Sequence, residues 1–258
     1  MIGDADAREF AAELRAAELG GPPAALPTER FAGFGWDDAR RIALARDALR
    51  HDDGDTPIGY KLGWTSAAMR SALGIDQPNW GTLWASQRIA GELDLEPLRH
   101  PKAEPEVVYV AGADLADARI DADDVIEAAA GWAVGIEVVH PRYASYGFTW
   151  LDNTADNSSA GAIATGPSSA AGHDPMSARV LFTDGAEQRT GSADQAMGSP
   201  AEAVAWLVRR LVEEGRSLRA GEIVYTGGLT APFDVSAGNT YTARSTLLGE
   251  ATFAAIGA

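Results

Sequence analysis

From about residue 57 the chain breaks into short apolar runs separated by glycine, proline and aspartate. The runs are IGYKLG, RIAGELDL, EVVYVAGA, WAVGIEVV, AGAIATG, ARVLFTDG, EIVYTGG and YTARSTL. Runs of this length bounded by turn formers predict β-strands. Two helices interrupt them, a short one in DADDVIEAAAG and a long one in SPAEAVAWLVRRLVEEG. In the long one Ser199 is the expected cap, Pro200 the first residue and Glu202 the partner completing a capping box. Strands that do not alternate regularly with helices argue against a doubly wound parallel sheet. Ahead of them, DADAREFAAELRAAELGG and WDDARRIALARDALRHDDG have helical apolar spacing, through Phe10, Leu14 and Leu19 and through Ile42, Leu44 and Leu49. An aspartate is the expected cap of the first. The expected fold class is α+β: a helical N-terminal arm over residues 1–56 and a mostly β core over 57–258, one domain overall.

Composition limits what such a chain does. With 258 residues it can bury a core without staples, and it has no cysteine, so disulfides and thiolate metal sites are excluded. The formal charge of −16 repels phosphate backbones, so nucleic acid is not an expected partner. No apolar run is long enough to span a membrane, and MIGDADAREF lacks the character of a signal peptide. A cytoplasmic protein with no membrane partner is the expectation.

The stretch HPKAEPEVVYV sets Glu104 and Glu106 two residues apart at the mouth of an apolar strand, so both point to one side. Two anions on one face repel unless a cation or protons relieve them; the plainer reading is a solvated strand edge. Glu137 lies inside GWAVGIEVVH, where a lone carboxylate needs a partner. Three such carboxylates suit a hard divalent cation, Mg²⁺ or Mn²⁺, with oxygen ligands. The competing reading for Glu137 is an ion pair with an arginine.

Lysine is scarce: Lys61 and Lys102 are the two. Lys61, in IGYKLGWTS, precedes a helix expected to start at Thr65 or Ser66. A partly desolvated lysine there can donate a proton or anchor an anion, while a snorkelling surface lysine is the simpler alternative. WTSAAM, YTGGLTAP and TADNSSAG offer hydroxyls, an amide and backbone N–H groups of the kind that receive anions, and each is unspecific alone.

Taken together, GYKLGWTS, GIDQPNWGTL, HPKAEPEVVYV, GIEVVHPRY, DNTADNSSAG, MGSPAEAVAWL and RAGEIVYTGGLTAP, in that order from Gly59 to the C-terminus, resemble the 2-keto-4-pentenoate hydratase / 4-oxalocrotonate decarboxylase group of the fumarylacetoacetate hydrolase superfamily. The resemblance implies a β-rich roll-like core and a Mg²⁺ or Mn²⁺ held by Glu104, Glu106 and Glu137. It implies Lys61 as the active-site lysine, Ser158 and Ser159 in a hydroxyl loop, and Thr226 with Gly227 in a loop lining the substrate site. The implied substrate is a 2-oxo acid that chelates the metal, which stabilises the enolate formed.

Within that group, hydratases usually carry an aspartate where this chain has Asn79, in DQPNWG. An amide cannot act as a general base. HPKAEPE, PRY, ADNSS and TGGLTA resemble the decarboxylase branch, whereas GIDQP leans to the hydratases. His140 with Pro141 stands where the branch usually has an Asp-Ser pair. Arg142 is a candidate to grip a distal substrate carboxylate through a bidentate fork, or else a structural ion pair. The expected function is decarboxylation of a 4-oxalocrotonate-like dicarboxylate through a metal-bound dienolate, with hydration of a 2-hydroxydienoate as the alternative. An acylpyruvate-type C–C hydrolase, for which His51 would be the early histidine, and a non-catalytic partner subunit stand further off. The resemblance also implies a homo-oligomer and a possible complex with a hydratase or decarboxylase homologue.

Overall fold

The structure, a computed structural model, describes residues 1–169 and 174–257. Among these, the runs after residue 57 build two sheets of unequal size. In the larger, β1 (Pro57–Gly63), β2 (Asn79–Trp84), β4 (Lys102–Ala111), β5 (Ala129–Val139), β6 (Ala160–Thr165) and β9 (Ile223–Gly228) lie in the order β2-β1-β9-β4-β5-β6, with β10 (Phe233–Asp234) also paired to β4. This sheet curls into a half-barrel. The smaller sheet takes β3 (Glu92–Asp94), β7 (Arg179–Thr183), β8 (Gln188–Ser192), β11 (Thr240–Ser245) and β12 (Gly249–Ile256) in the order β3-β12-β11-β7-β8. The pairs β1·β9 and β12·β3 are parallel and the others antiparallel.

Seven α-helices are described; after residue 57 they are α4 (Ala67–Leu73), the helix expected to follow Lys61, α5 (Ala122–Glu127), α7 (Pro200–Glu213) and α6 (Trp150–Ala155), which the sequence does not suggest. Ser66 caps α4, accepting the Met69 N–H. On α7, Ser199 caps and Pro200 leads as expected, but Glu202 takes Arg209 as its partner at 2.6 Å instead of closing a capping box. Helix α7 buries Val204, Leu207, Val208 and Leu211 against the main core. Each contributes about 1.5–3 kcal/mol by leaving water.

Residues 1–52 carry α1 (Asp4–Glu18), the short α2 (Pro27–Arg30) and α3 (Trp36–Asp52). Gly3, not an aspartate, stands at the N-cap of α1, and Asp6 accepts its N–H. Phe10, Leu14 and Ile42 are buried together with Tyr143 and Ala155. Leu19 falls past the helix end and is 68% exposed; Leu44 is also exposed. The inner face of α3 is arginine-rich instead. Arg46 and Arg50 each reach Glu18 Oε1, at 2.8 and 2.7 Å, and Arg40 reaches Glu214 beyond α7 at 2.8 Å. Burial opposes the Glu18 charge, but Arg46, Arg142 and Arg50 outweigh it and hold the carboxyl well below its ordinary range. Thr28 on α2 clasps Asp152 of α6 through its N–H and hydroxyl, each at 2.9 Å.

Strand parity then places the site. On β4, Ala103, Val107 and Tyr109 join the main core, so Glu104, Glu106 and Val108 face the other way. On β5 Trp132, Val134 and Ile136 are core residues, and Glu137 shares the opposite face with Ala133. On β1 Tyr60 and Leu62 are core, which puts Lys61 on that same second face.

Candidate metal centre and active site

Glu104 and Glu137 are direct partners across the β4–β5 ladder, and Glu106 follows on the same face. Each of the three offers a carboxylate oxygen, and these oxygens lie within 4.8 Å of one another. Glu106 and Glu137 are fully buried, and Glu104 is half-buried at the rim. Glu106 Oε2 accepts the Gly227 N–H at 2.7 Å. Among the described residues its Oε1 and both oxygens of Glu137 have no hydrogen-bond donor. Lys61 Nζ stands 3.1 Å from Glu137 Oε2, an ion-pair distance without hydrogen-bond geometry.

Charge explains what such a set needs. Three carboxylates and one ammonium leave two negative charges, and burial of Glu106 and Glu137 sets them away from bulk solvent. Burial, then Glu137, push Glu104 up to about 7, against the pull of Lys61 and Lys102. Burial and Glu137 raise Glu106 further, and burial raises Glu137 itself in spite of Lys61. A divalent cation fits both the charge and the orphaned buried oxygens. Carboxylate oxygens without a cysteine or histidine among them suit Mg²⁺ or Mn²⁺. The solvated-edge reading of Glu104 and Glu106 and the arginine-pair reading of Glu137 do not describe this geometry.

Lys61 is buried, not snorkelling, and donates to the Ser158 carbonyl oxygen at 2.8 Å and to Ser158 Oγ at 3.2 Å. Ser158 Oγ in turn donates to Asn79 Oδ1 at 2.9 Å. Asn79 is fully buried, and its Nδ2 donates to Asn153 Oδ1 and Thr154 Oγ1 at 2.8 and 3.0 Å. Close approach is possible because β1 ends bare: a Cβ on Gly63 would sit 2.4 Å from both Ser158 Oγ and Asn79 Oδ1.

Other sequence candidates land behind this layer. Ser159 Oγ accepts from Asn153 Nδ2 at 2.8 Å, so it braces α6 and does not face the carboxylates. Thr226 turns its hydroxyl to the Val107 carbonyl at 2.9 Å, leaving the Gly227 backbone as the contribution of β9. Arg142 is the clearest correction. Its guanidinium is fully buried and spent on Asp156 Oδ1 at 2.6 Å and on the carbonyls of Ala160 and Asp156. The structural ion pair describes it: each of its three nitrogens already has a partner inside the fold. His140, buried beside it, is pushed down to about 3 by burial and then by Arg142, and its Nε2 has no partner among the described residues. His51 lies exposed at the end of α3, with no glutamate bonded to it. Asn153 went unrecognised in the sequence: its Oδ1 takes both Trp64 Nε1, at 2.9 Å, and Asn79 Nδ2. A single asparagine within a polar motif gives no signal that would have found it.

Comparison with known proteins completes the description. The family model "Fumarylacetoacetate (FAA) hydrolase C-terminal" matches residues 40–254. The chain is 34% identical over 254 residues to a 2-keto-4-pentenoate hydratase of Burkholderia vietnamiensis (strain G4 / LMG 22486), covering 96% of this chain and 97% of that one. It is 28% identical over 227 residues to a 4-oxalocrotonate decarboxylase of Pseudomonas sp, covering 85% and 87%. The solved structure of the 4-oxalocrotonate decarboxylase from Pseudomonas putida G7, complexed with magnesium and adipate, superposes with a TM-score of 0.94, at 28% identity over 99% of both chains.

Proposed function

The chain belongs to the fumarylacetoacetate hydrolase family, and we propose that within it this protein is a divalent-metal-dependent lyase that decarboxylates an unsaturated 2-oxo dicarboxylate resembling 4-oxalocrotonate. The observation that carries this reading is the pairing of the carboxylate trio with a buried Lys61 and, next to them, an amide at Asn79 in place of a base.

Glu104, Glu106 and Glu137 would hold Mg²⁺ or Mn²⁺. When bound, that ion supplies Lewis-acid stabilisation of negative charge developing on a 2-oxo acid. Lys61 holds its ammonium in a buried position, with two of its protons on Ser158. Loss of CO₂ breaks one C–C bond and delocalises its electron pair along the conjugated chain onto the 2-oxygen, and a proton from Lys61 Nζ neutralises the resulting dienolate. Water activation would need a base that Asn79 cannot be. Ser158 fixes the direction of the Lys61 ammonium, and the buried strand face excludes competing water.

Hydration of a 2-hydroxydienoate is the second reading, favoured by the 34% identity to a hydratase over nearly the whole chain. The test is CO₂ release from 4-oxalocrotonate beside loss of 2-hydroxypenta-2,4-dienoate absorbance, with metal-stripped and Glu106→Ala controls. Metal-dependent CO₂ release absent from both controls supports the proposal. Fast hydration without CO₂ moves the assignment to the hydratase. A homo-oligomer, with or without a homologous hydratase subunit, belongs to the same proposal, and sedimentation alone and in a mixture tests it.

Among the described residues no helix is long and apolar enough to cross a membrane.

A further inference from the structure

Three consecutive non-glycine residues, Asn157, Ser158 and Ser159, stand in the left-handed region, with φ of 54°, 52° and 55°. Each such residue costs roughly 1–2 kcal/mol, and a run of them persists only where the surroundings over-determine it. Here the constraint is an amide. Asn157 Oδ1 accepts the Thr82 N–H at 2.7 Å, and Asn157 Nδ2 donates to the Thr82 carbonyl at 2.9 Å. Strand β2 is the outermost of its sheet, so this side chain stands where the next strand would pair. The backbone follows it in: a Cβ on Gly81 would lie 2.1 Å from the Asn157 carbonyl oxygen. The turn therefore rests directly on β2, whose Gly81 is the register partner of Lys61.

We propose that Asn157 is a positioning residue: its amide, bonded both ways to the Thr82 backbone, pins the left-handed turn onto β2 and so fixes the two Ser158 oxygens that aim the Lys61 ammonium at Glu137. Neither Asn157 nor Thr82 touches the carboxylate cluster by hydrogen bond; Asn157 acts through Ser158. The catalytic half of the inference rests on the role given to Lys61 above, while the structural half does not.

Two lysines make a clean probe. With ¹⁵N-lysine labelling, the ammonium of buried Lys61 gives a protected ¹H–¹⁵N signal, and that of Lys102, salt-bridged to the exposed Asp234, serves as the internal control. Asn157→Ala is expected to broaden the Lys61 signal by solvent exchange and leave Lys102 as it was. Mn²⁺ binding, read by water relaxation, changes little because the carboxylates are untouched. CO₂ release loses about 10–100-fold in kcat with KM nearly constant, the size expected for a misplaced catalytic group.

Asn157→Gly separates the clamp from backbone strain. If tolerance of the left-handed conformation were the whole role, glycine would serve at least as well as asparagine; the clamp predicts a loss matching alanine. Where alanine or glycine fails to fold, Asn157→Asp keeps the shape and the bond from Thr82 N–H but opposes a carboxylate to the Thr82 carbonyl. It should show the same losses in smaller degree. Folded variants that retain the protected Lys61 signal and wild-type kcat overturn the proposal. A wild-type protein with no turnover on either substrate defeats the functional reading instead, and the ammonium signal still decides the clamp.

Discussion

Glu104 and Glu137 are direct cross-strand partners in the β4–β5 ladder, like charges where a sheet ordinarily places opposite ones. Their mutual repulsion, in a buried setting, makes protons and metal ions rivals for the same oxygens.

The metal-free protein should accordingly lose stability as its carboxyls ionise. A carboxyl whose folded pKa is raised contributes stability that is complete below its unfolded value and lost as pH rises through the folded one. For Glu104 that window runs from the ordinary value of 4.5 up to about 7. Saturating Mg²⁺ removes the repulsion, so the Tm increase it confers should grow between about pH 5 and about pH 8. Thermal scans with EDTA and with Mg²⁺ across that range measure it. A pH-independent increase would contradict the charge argument.

Lys61→Met removes the ammonium and leaves the trio unopposed. CO₂ release should fall by ~10²–10⁴, the usual worth of a positioned proton donor. Binding of Mn²⁺ should persist or tighten, since the nearest competing cation is gone. Weakened metal binding at unchanged turnover would place Lys61 in a supporting role only.

Arg142→Lys tests the correction made above. A lysine cannot reproduce the fork that meets Asp156 and two carbonyls at once. The charge opposite Asp156 is kept, but each carbonyl left short of a donor costs roughly 1–3 kcal/mol, visible as an earlier urea midpoint. Among molecules that remain folded, KM for a dicarboxylate should stay at the wild-type value. A large KM increase at unchanged stability would restore Arg142 to the substrate.

Asn79→Asp supplies the base that the water route lacks, but at a structural cost. The lost Nδ2 donated to Asn153 Oδ1 and Thr154 Oγ1, and Trp64 Nε1 holds Asn153 in an orientation that cannot turn to help. An unmet bond of this sort costs roughly 1–3 kcal/mol. The ratio of hydration to decarboxylation, measured on both substrates, should rise. An unchanged ratio would remove Asn79 from the discrimination between the two reactions.

The strands were legible where apolar runs had turn formers at both ends, as in β4 and β5. Strand β2 was not, because all six residues of NWGTLW are buried and no alternation marks it. Strand β12, GEATFAAI, hid behind its alanines. The carboxylates could be read because parity alone puts Glu104 and Glu106 on one face, but their meeting with Glu137 depends on ladder register, which one sequence does not contain. Arg142 could not be told from a substrate ligand, since its partner Asp156 comes from a turn of the same loop region. The left-handed turn left no trace because asparagine and serine occupy ordinary loops as readily. In α3 the helical spacing was right and Ile42 and Leu49 turn to the core as expected, but Leu44 is exposed and arginines paired with Glu18 go inward beside them.

Helix α6 is clasped from two sides, by Thr28 on its outer end and by Asn79 on its inner one. The segment between residues 19 and 28 thus ties α1 to that clasp. A protease nick there, or a bulky fusion at the N-terminus that drags on α2, would be felt first as slack in the catalytic machinery. Unfolding would come later, and expression yield alone would not reveal the damage.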